Sequence, residues 1–282
     1  MNAPAARGLS PADAAREPGE CAIAFEDVVK VFRSRRGDIR ALDGINFTVP
    51  PSDFVSLVGP SGCGKSTLLR TVAGLEFPSS GRVLLKGEPV RRPPLGLGLV
   101  FQRDVLFDWR TVLENVLLPF EMRGADASAH SERARALLTS YGLDGFHDRY
   151  PWELSGGMRQ RVAICRAVID HPELVLMDEP FAALDAFTRD DLNLSLQRLW
   201  LEHRATAVFV THNIQEAVFL GNRVVVMGRS PGRIVDIIDV NIPRPRTLAA
   251  RETPLFIEVC ARIRRTFEQM GLMRGDNAGE QP

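Results

Sequence analysis

The sequence predicts an α/β fold in which a parallel sheet lies between helices. Two observations predict it. The strand-like runs Phe54–Val58, Leu97–Phe101, Leu174–Met177, Ala207–Val210 and Val224–Met227 are short and apolar, without polar alternation. That is the pattern of strands covered on both faces. Helical stretches alternate with them, at Ser66–Ala73, Met158–Ile169, Ala186–Glu202 and Ile214–Leu220. Strand alternating with helix is the signature of crossover connections around a parallel sheet.

The rest of the chain is organised around that core. Residues 1–20, rich in Ala, Pro, Gly and Arg, read as a disordered tail that lacks the apolar centre of a signal peptide. From Thr111 to Tyr150 there is no clear strand, and Ser131–Tyr141 carries Ala134, Leu137, Leu138 and Tyr141 at helical spacing. This segment reads as a helical insertion. Pro243 and Pro245 mark a break, after which Leu255–Phe267 predicts a terminal amphipathic helix.

Composition excludes several classes. The chain has 282 residues, 45% hydrophobic and 25% charged, as in ordinary folded proteins and unlike disordered or collagenous chains. Lys+Arg and Asp+Glu are both 35, so there is no general basic excess to suit nucleic acid, and no nucleic-acid partner is expected. Lysine occurs only at positions 30, 65 and 86, so a lysine inside a motif stands out. Cys21, Cys63, Cys165 and Cys260 are far apart in sequence and form no C-x-x-C, which points to reduced thiols in a cytosolic compartment and away from zinc. No apolar run reaches the ~18 residues a bilayer-crossing helix needs. If the protein works at a membrane, something else carries it there.

The chemistry begins at Gly59-Pro60-Ser61-Gly62-Cys63-Gly64-Lys65-Ser66-Thr67, which fits G-x-x-x-x-G-K-[ST]. It follows one strand and opens a helix, the context in which the pattern binds phosphate. Its glycines let backbone amides converge on phosphate oxygens, and the helix N-terminus adds positive partial charge. Lys65 would reach the β- and γ-phosphates and the Ser66 hydroxyl would ligate Mg²⁺. Cys63 has two readings. The neighbouring cation and helix terminus favour a reactive thiolate that maleimide would find and bound nucleotide would shield; alternatively its sulfur is a packed small filler.

A second element, Leu174-Val-Leu-Met-Asp178-Glu179-Pro180, is an apolar strand ending in two carboxylates. Such ends sit where parallel sheets bind ligands, although many strands simply end in solvated acids. Beside a phosphate loop, Asp178 suits Mg²⁺ and Glu179 suits a general base for an attacking water.

Between these two elements lies Leu154-Ser155-Gly156-Gly157-Met158-Arg159-Gln160-Arg161. Alone, its serine is only a helix cap. In this order and company the sequence resembles the ATPase subunit of an ABC transporter, over about residues 22–240. The resemblance implies a P-loop NTPase (RecA-like) core with a parallel sheet, an antiparallel β subdomain and a helical subdomain at about 104–157. The whole would be an ABC ATPase domain of 21–240 followed by a C-terminal extension, 241–282. It implies ATP and Mg²⁺ as cofactors. Gln102 resembles the glutamine that touches Mg²⁺ and senses the γ-phosphate, Asp185 belongs to the loop Ala183-Leu184-Asp185, and His212 resembles the switch histidine. Phe32 aligns with the aromatic that stacks on adenine, where the family usually has tyrosine; Phe25 is a nearby core aromatic. Lys65, Gln102, Glu179 and His212 would carry catalysis. Ser66, Gln102 and Asp178 would hold the metal. The remaining residues from Gly59 to Thr67, with Ser155, Gly156, Gly157, Gln160 and Asp185, would hold nucleotide.

In this family two subunits sandwich two ATPs, the phosphate loop of one facing the Ser155–Gly157 signature of the other. The resemblance therefore implies a homodimer at the cytoplasmic face of the inner membrane, docked on an integral-membrane permease near Gln102–Arg123. A periplasmic or lipid-anchored substrate-binding protein would be an indirect partner. Met177–Arg189, Leu199-Trp200, Trp109, Glu216–Leu220, Pro231–Ile234 and Ile242-Pro-Arg-Pro-Arg246 are similar to the nitrate/sulfonate/taurine importers. Departures from that pattern are Asp108 for proline, Asn213 for aspartate, Ala182 for glycine and Cys165 for alanine. The other readings are a soluble ABC ATPase of DNA repair or translation, a P-loop kinase or GTPase, and a partner with a dead site. They fit less well: there is one cassette, the signature and His212 are present, and no catalytic group is missing.

Overall fold

The structure, a computed structural model, describes residues 21–272 except Arg36 and Ala183. The tail expected over residues 1–20 and the last ten residues of the extension lie outside the described residues. In chain order the elements are β1 (Ile23–Phe32), β2 (Ile39–Val49), β3 (Phe54–Val58), α1 (Lys65–Val72), β4 (Ser80–Leu85), β5 (Glu88–Pro89) and β6 (Leu97–Val100). There follow α2 (Val112–Met122), α3 (Ser131–Ser140), α4 (Gly156–Val168), β7 (Leu174–Asp178), α5 (Ala186–His203) and β8 (Thr206–Thr211). The chain continues through α6 (Ile214–Leu220), β9 (Arg223–Met227), β10 (Ile234–Asp239) and α7 (Pro254–Gln269). They belong to two compact units, one running up to Pro93 and resuming at Val208, the other Pro94–Ala207.

The first unit contains an antiparallel sheet in the order β2-β1-β4-β5. Phe25 and Phe47 stack across β1 and β2 with ring centroids 4.4 Å apart. A second set of strands runs β10-β9-β3-β8. Here β3 pairs in parallel with β9, from Val55 opposite Arg223 to Val58 opposite Val226. Every residue of β3 is buried, which is why its sequence shows no alternation. In α7 the residues Phe256, Val259, Cys260, Ile263 and Phe267 are buried at helical spacing, the amphipathic face the sequence predicts.

In the second unit β6 and β7 pair in parallel, Leu97 opposite Leu174 and Val100 opposite Met177. Helix α2 is the element that sequence periodicity did not resolve. Leucine and valine crowd several of its faces, and Pro119 lies inside it. Its start carried a readable signal: the Thr111 hydroxyl accepts from the Glu114 amide, and the Glu114 carboxylate accepts from the Thr111 amide, a reciprocal cap.

The Ile242–Arg246 stretch has a structural purpose. Arg246 is 2% exposed. Its guanidinium donates to the carbonyls of Val218, Phe219 and Gly221 at 2.8–2.9 Å, and also to those of Val240 and Ile242. The C-terminal carbonyls of α6 lack intrahelical partners, so this one side chain satisfies acceptors that burial would otherwise orphan. Burial pushes its pKa down to about 10, which leaves it charged at neutral pH. Replacing Arg246 by Met should cost about 3 kcal/mol, the scale of unpairing buried acceptors from a charged donor. For a chain of this size that lowers the melting temperature by roughly 5–10 °C. Lysine should restore only part, because it lacks the planar fork. Calorimetric melting of Arg246→Met and Arg246→Lys checks this, and an unchanged transition contradicts the clamp.

Candidate functional site

In the first unit the loop from Gly59 to Gly64 joins β3 to α1. Lys65 is 4% exposed, and its ammonium donates to the carbonyls of Gly59 at 2.8 Å and Pro60 at 2.9 Å. Gly64 is the N-cap of α1, with φ 96°; it offers no side chain to the helix, and the first turn holds no acid. A β-carbon there would lie 2.7 Å from the Ala41 carbonyl oxygen, so the left-handed turn and the close approach both require glycine. An uncapped helix N-terminus beside a buried ammonium suits a phosphate chain, so these residues fit ATP.

The loop is supported from behind by Pro231–Ile234. Gly232 donates to the Ala41 carbonyl and accepts from the Asp43 amide, both at 2.9 Å. A β-carbon on Gly232 would stand 2.1 Å from the Cys63 carbonyl oxygen. Arg233 ion-pairs with Asp43, and that hydrogen bond holds the Asp43 carboxyl below its usual range.

His212 is exposed just past the end of β8. The preceding residue, Thr211, is buried and donates its hydroxyl to Glu216 at 2.6 Å. Asn213 caps α6 by accepting from the amides of Gln215 and Glu216, so the asparagine performs the capping that an aspartate would. Phe32 is 37% exposed, with the Lys30 ammonium 4.9 Å from its ring centre. Phe25, by contrast, is core, so Phe32 is the aromatic of the two with a face to offer.

In the second unit Asp178 ends β7 and is buried, while Glu179 has φ 46°. A left-handed backbone at a residue with a β-carbon costs about 1–3 kcal/mol and recurs where a side chain must be aimed. The Glu179 carbonyl accepts from the Ala182 amide at 3.2 Å, closing a tight turn. Asp185 caps α5, accepting from the amides of Phe187 and Thr188, and these bonds hold its carboxyl below the usual range.

Ser155 caps α4, accepting from the Met158 amide at 3.3 Å, and Ser155 and Gly156 are exposed with Gly157 half-buried. Gln160 is 5% exposed, on a buried face of α4. Gln102 is exposed at the start of a loop tied to α4. Arg159 donates to Asp104 at 2.9 Å and to the Leu154 carbonyl at 2.8 Å. Arg166 donates to the carbonyls of Asp104 and Val105. Sequence reasoning missed this tie, since nothing in the spacing of Asp104 and Arg159 announces it. Within this unit the Gln102 amide oxygen and the Asp178 carboxylate are hard oxygen donors of the kind Mg²⁺ prefers. Among the described residues no three His, Cys, Asp or Glu cluster as a dedicated metal cage.

Comparison with known proteins bears on these residues together. The family model described as "ABC transporter" matches residues 42–182. An uncharacterized ABC transporter ATP-binding protein of Methanocaldococcus jannaschii is 48% identical over 221 residues, 78% of this chain and 83% of the relative. The aliphatic sulfonates import ATP-binding protein SsuB of Bacillus cereus is 39% identical over 252 residues, 89% of this chain and 98% of the relative. Two solved structures of one bacterial ABC transporter cassette superpose with TM-score 0.70 over 78% of this chain and all of theirs. Both are described as dimeric, the first at 31% identity and the second, a post-hydrolysis state bound to ADP and Pi, at 32%.

The cysteines settle one expectation against reactivity. Cys63 is 1% exposed, with its sulfur lodged 2.9 Å from where a β-carbon on Gly59 would stand. The packed-filler reading therefore holds, because the loop closes over the thiol. Cys21, Cys165 and Cys260 are buried as well, and burial pushes the Cys165 and Cys260 thiols up, the latter to about 11. The folded protein should give almost no fast reaction with a thiol reagent at pH 7.5, with or without nucleotide, and full labelling after denaturation. Rapid nucleotide-protected labelling of Cys63, mapped by peptide mass, would overturn this packing.

Proposed function

The chain belongs to the ABC transporter family of ATP-binding proteins and is an ATPase, and on that footing we propose that it powers a sulfonate-type importer. The SsuB relative, matched over nearly its whole length, supports that branch. Nitrate and taurine remain within the same substrate class of small anionic or zwitterionic nutrients. The observation that carries the chemistry is the buried Lys65 ammonium beside the uncapped start of α1.

The residues divide the work as follows. Lys65 exchanges the carbonyls of Gly59 and Pro60 for β- and γ-phosphate oxygens, while the amides from Gly62 to Thr67 surround the phosphates. Phe32 offers its ring face to adenine. Ser66, Gln102 and Asp178 would hold Mg²⁺, which supplies neutralising charge at the phosphate oxygens. Glu179 orients a water and accepts its proton. His212, held by the Thr211–Glu216 bond, addresses the γ-phosphate. Ser155, Gly156 and Gly157 present a second helix N-terminus to the nucleotide of another copy, so hydrolysis requires a homodimer. Asp185 shapes the neighbouring turn.

Transport would run through a separate permease; among the described residues no helix is long and apolar enough to cross a membrane. The surface offered to it is the loop after Gln102. Trp109 is 73% exposed and stacks on Phe107 at 4.8 Å, and Val105 and Met122 are exposed nearby in sequence. Buried Asn115 shapes this loop through bonds to Phe107, Arg110 and Thr111. Exposed Asp108, where the branch has proline, would tune the choice of permease. The protein would then sit peripherally at the cytoplasmic face of the inner membrane, with a substrate-binding protein acting through the permease.

Glu179→Gln should keep ATP affinity while slowing hydrolysis by about 10²-fold or more, the scale of a lost general base. Two copies should then stay joined by ATP. Gel filtration with ATP and Mg²⁺ should show a dimer for the variant and mainly monomer for the wild type. Wild-type turnover by Glu179→Gln contradicts the assignment.

A further inference from the structure

The end of β1 is held more firmly than a strand end at the surface needs. Lys30 and Phe32 are alternate residues of β1, so they share one side of the strand. The Lys30 ammonium lies over the Phe32 ring, 4.9 Å from its centre. This is not a loose surface cation. It ion-pairs with Glu76 at 2.8 Å, donates to the Phe77 carbonyl at 2.9 Å, and its side chain is only 14% exposed. Val31, between the two, is fixed as well. Its amide donates to the Ser79 hydroxyl at 2.9 Å, and that hydroxyl donates back to the Val31 carbonyl at 3.3 Å.

All of these partners come from the stretch that follows α1. The amides of Leu75 and Glu76 return to the Arg70 carbonyl in the last turn of that helix, at 3.0 and 3.2 Å. Helix α1 thus opens at the phosphate loop and ends tied, through Glu76, to Lys30. One short helix sets the spacing between the lysine that faces phosphate and the lysine that backs Phe32. The placement has an electrostatic consequence. The faces of an aromatic ring carry negative charge, so two rings resist direct stacking. A cation on one face draws that charge toward itself, and the opposite face then receives a second ring with less repulsion. Phe32 keeps 37% exposure, so surface remains for such a ring. Phenylalanine has no hydroxyl to fix its own orientation, and the ammonium supplies that hold.

We propose that Lys30 is a positioning residue for the nucleotide base. Its ammonium, anchored by Glu76 and the Phe77 carbonyl, presents the far face of Phe32 to adenine in a three-layer stack of cation, phenyl ring and base. The proposal rests on the placement of adenine at Phe32. It adds the layer behind the ring and says which face the base uses. Lys30 touches no part of the nucleotide and acts through Phe32 alone, so its effect belongs to the base and not to the phosphates.

The test compares ADP with pyrophosphate, which keeps the phosphates and lacks the base, by titration calorimetry on the full chain with Mg²⁺. Lys30→Met should weaken ADP by about threefold or more, the scale of a partly desolvated cation over a ring, and leave pyrophosphate unchanged. Lys30→Gln, which can still donate to the Phe77 carbonyl but carries no charge, should behave like Lys30→Met. Lys30→Arg should recover most of the loss, because a guanidinium also stacks on a ring face. In a Phe32→Leu background, Lys30→Met should weaken ADP no further. Normal ADP binding by Lys30→Met, equal weakening of ADP and pyrophosphate, or an undiminished effect in the Phe32→Leu background overturns the proposal. Phe32→Leu that binds ADP as tightly as the wild type removes the adenine placement, and the proposal with it. Weak ADP binding by Phe32→Leu beside normal binding by Lys30→Met removes the cation layer alone.

Discussion

There is no room for a side chain at Gly64, and much of the first unit follows from that. The Ala41 backbone of β2 presses on it from one side, which holds the phosphate loop in a single turn and leaves the N-terminus of α1 uncapped. The same constraint extends to Gly232, whose missing β-carbon lets the Pro231–Ile234 turn lie against the Cys63 carbonyl. A pattern that in sequence is only a family resemblance is, in three dimensions, the rear wall of the loop. Cys63 is buried for the same reason, since a loop packed this tightly covers its own thiol. Lys65 then has its ammonium held by loop carbonyls at hydrogen-bonding distance, buried within the same loop.

The second unit uses another device. The loop after Gln102 carries a left-handed Val105, an uncommon conformation for a β-branched residue. It persists because Arg159 and Arg166 of α4 grip Asp104 and the adjoining carbonyls. Arg159 also holds the Leu154 carbonyl just ahead of the Ser155 cap. One arginine therefore touches both the loop that begins at Gln102 and the start of the signature helix. Movement of either would be felt by the other, a direct physical link between that loop and that helix.

Much of this was legible in the sequence, for identifiable reasons. The apolar runs became β3 and β6 to β9 within a residue or two, because strands covered on both faces have no reason to alternate. The start of α1 was legible because glycine and lysine at fixed spacing have few other uses. The antiparallel strands β1, β2 and β4 came only from the family resemblance; their side chains alternate imperfectly, and register shifts at Val28 and Lys30 break the period. Helix α2 was hidden by apolar residues on several faces. Long-range partners such as Asp104 with Arg159, or Arg246 with the end of α6, leave no local trace.

The central claim is that a complete ATP site takes the Lys65 loop from one copy and the Ser155 signature from another. The most direct measurement pairs two differently tagged inactive variants, Lys65→Ala and Ser155→Arg, and assays heterodimers purified through both tags. The account predicts ATPase activity in the heterodimer that neither variant shows alone, because one of its two composite sites keeps both faces intact. A verified heterodimer that remains as inactive as its parents would contradict it.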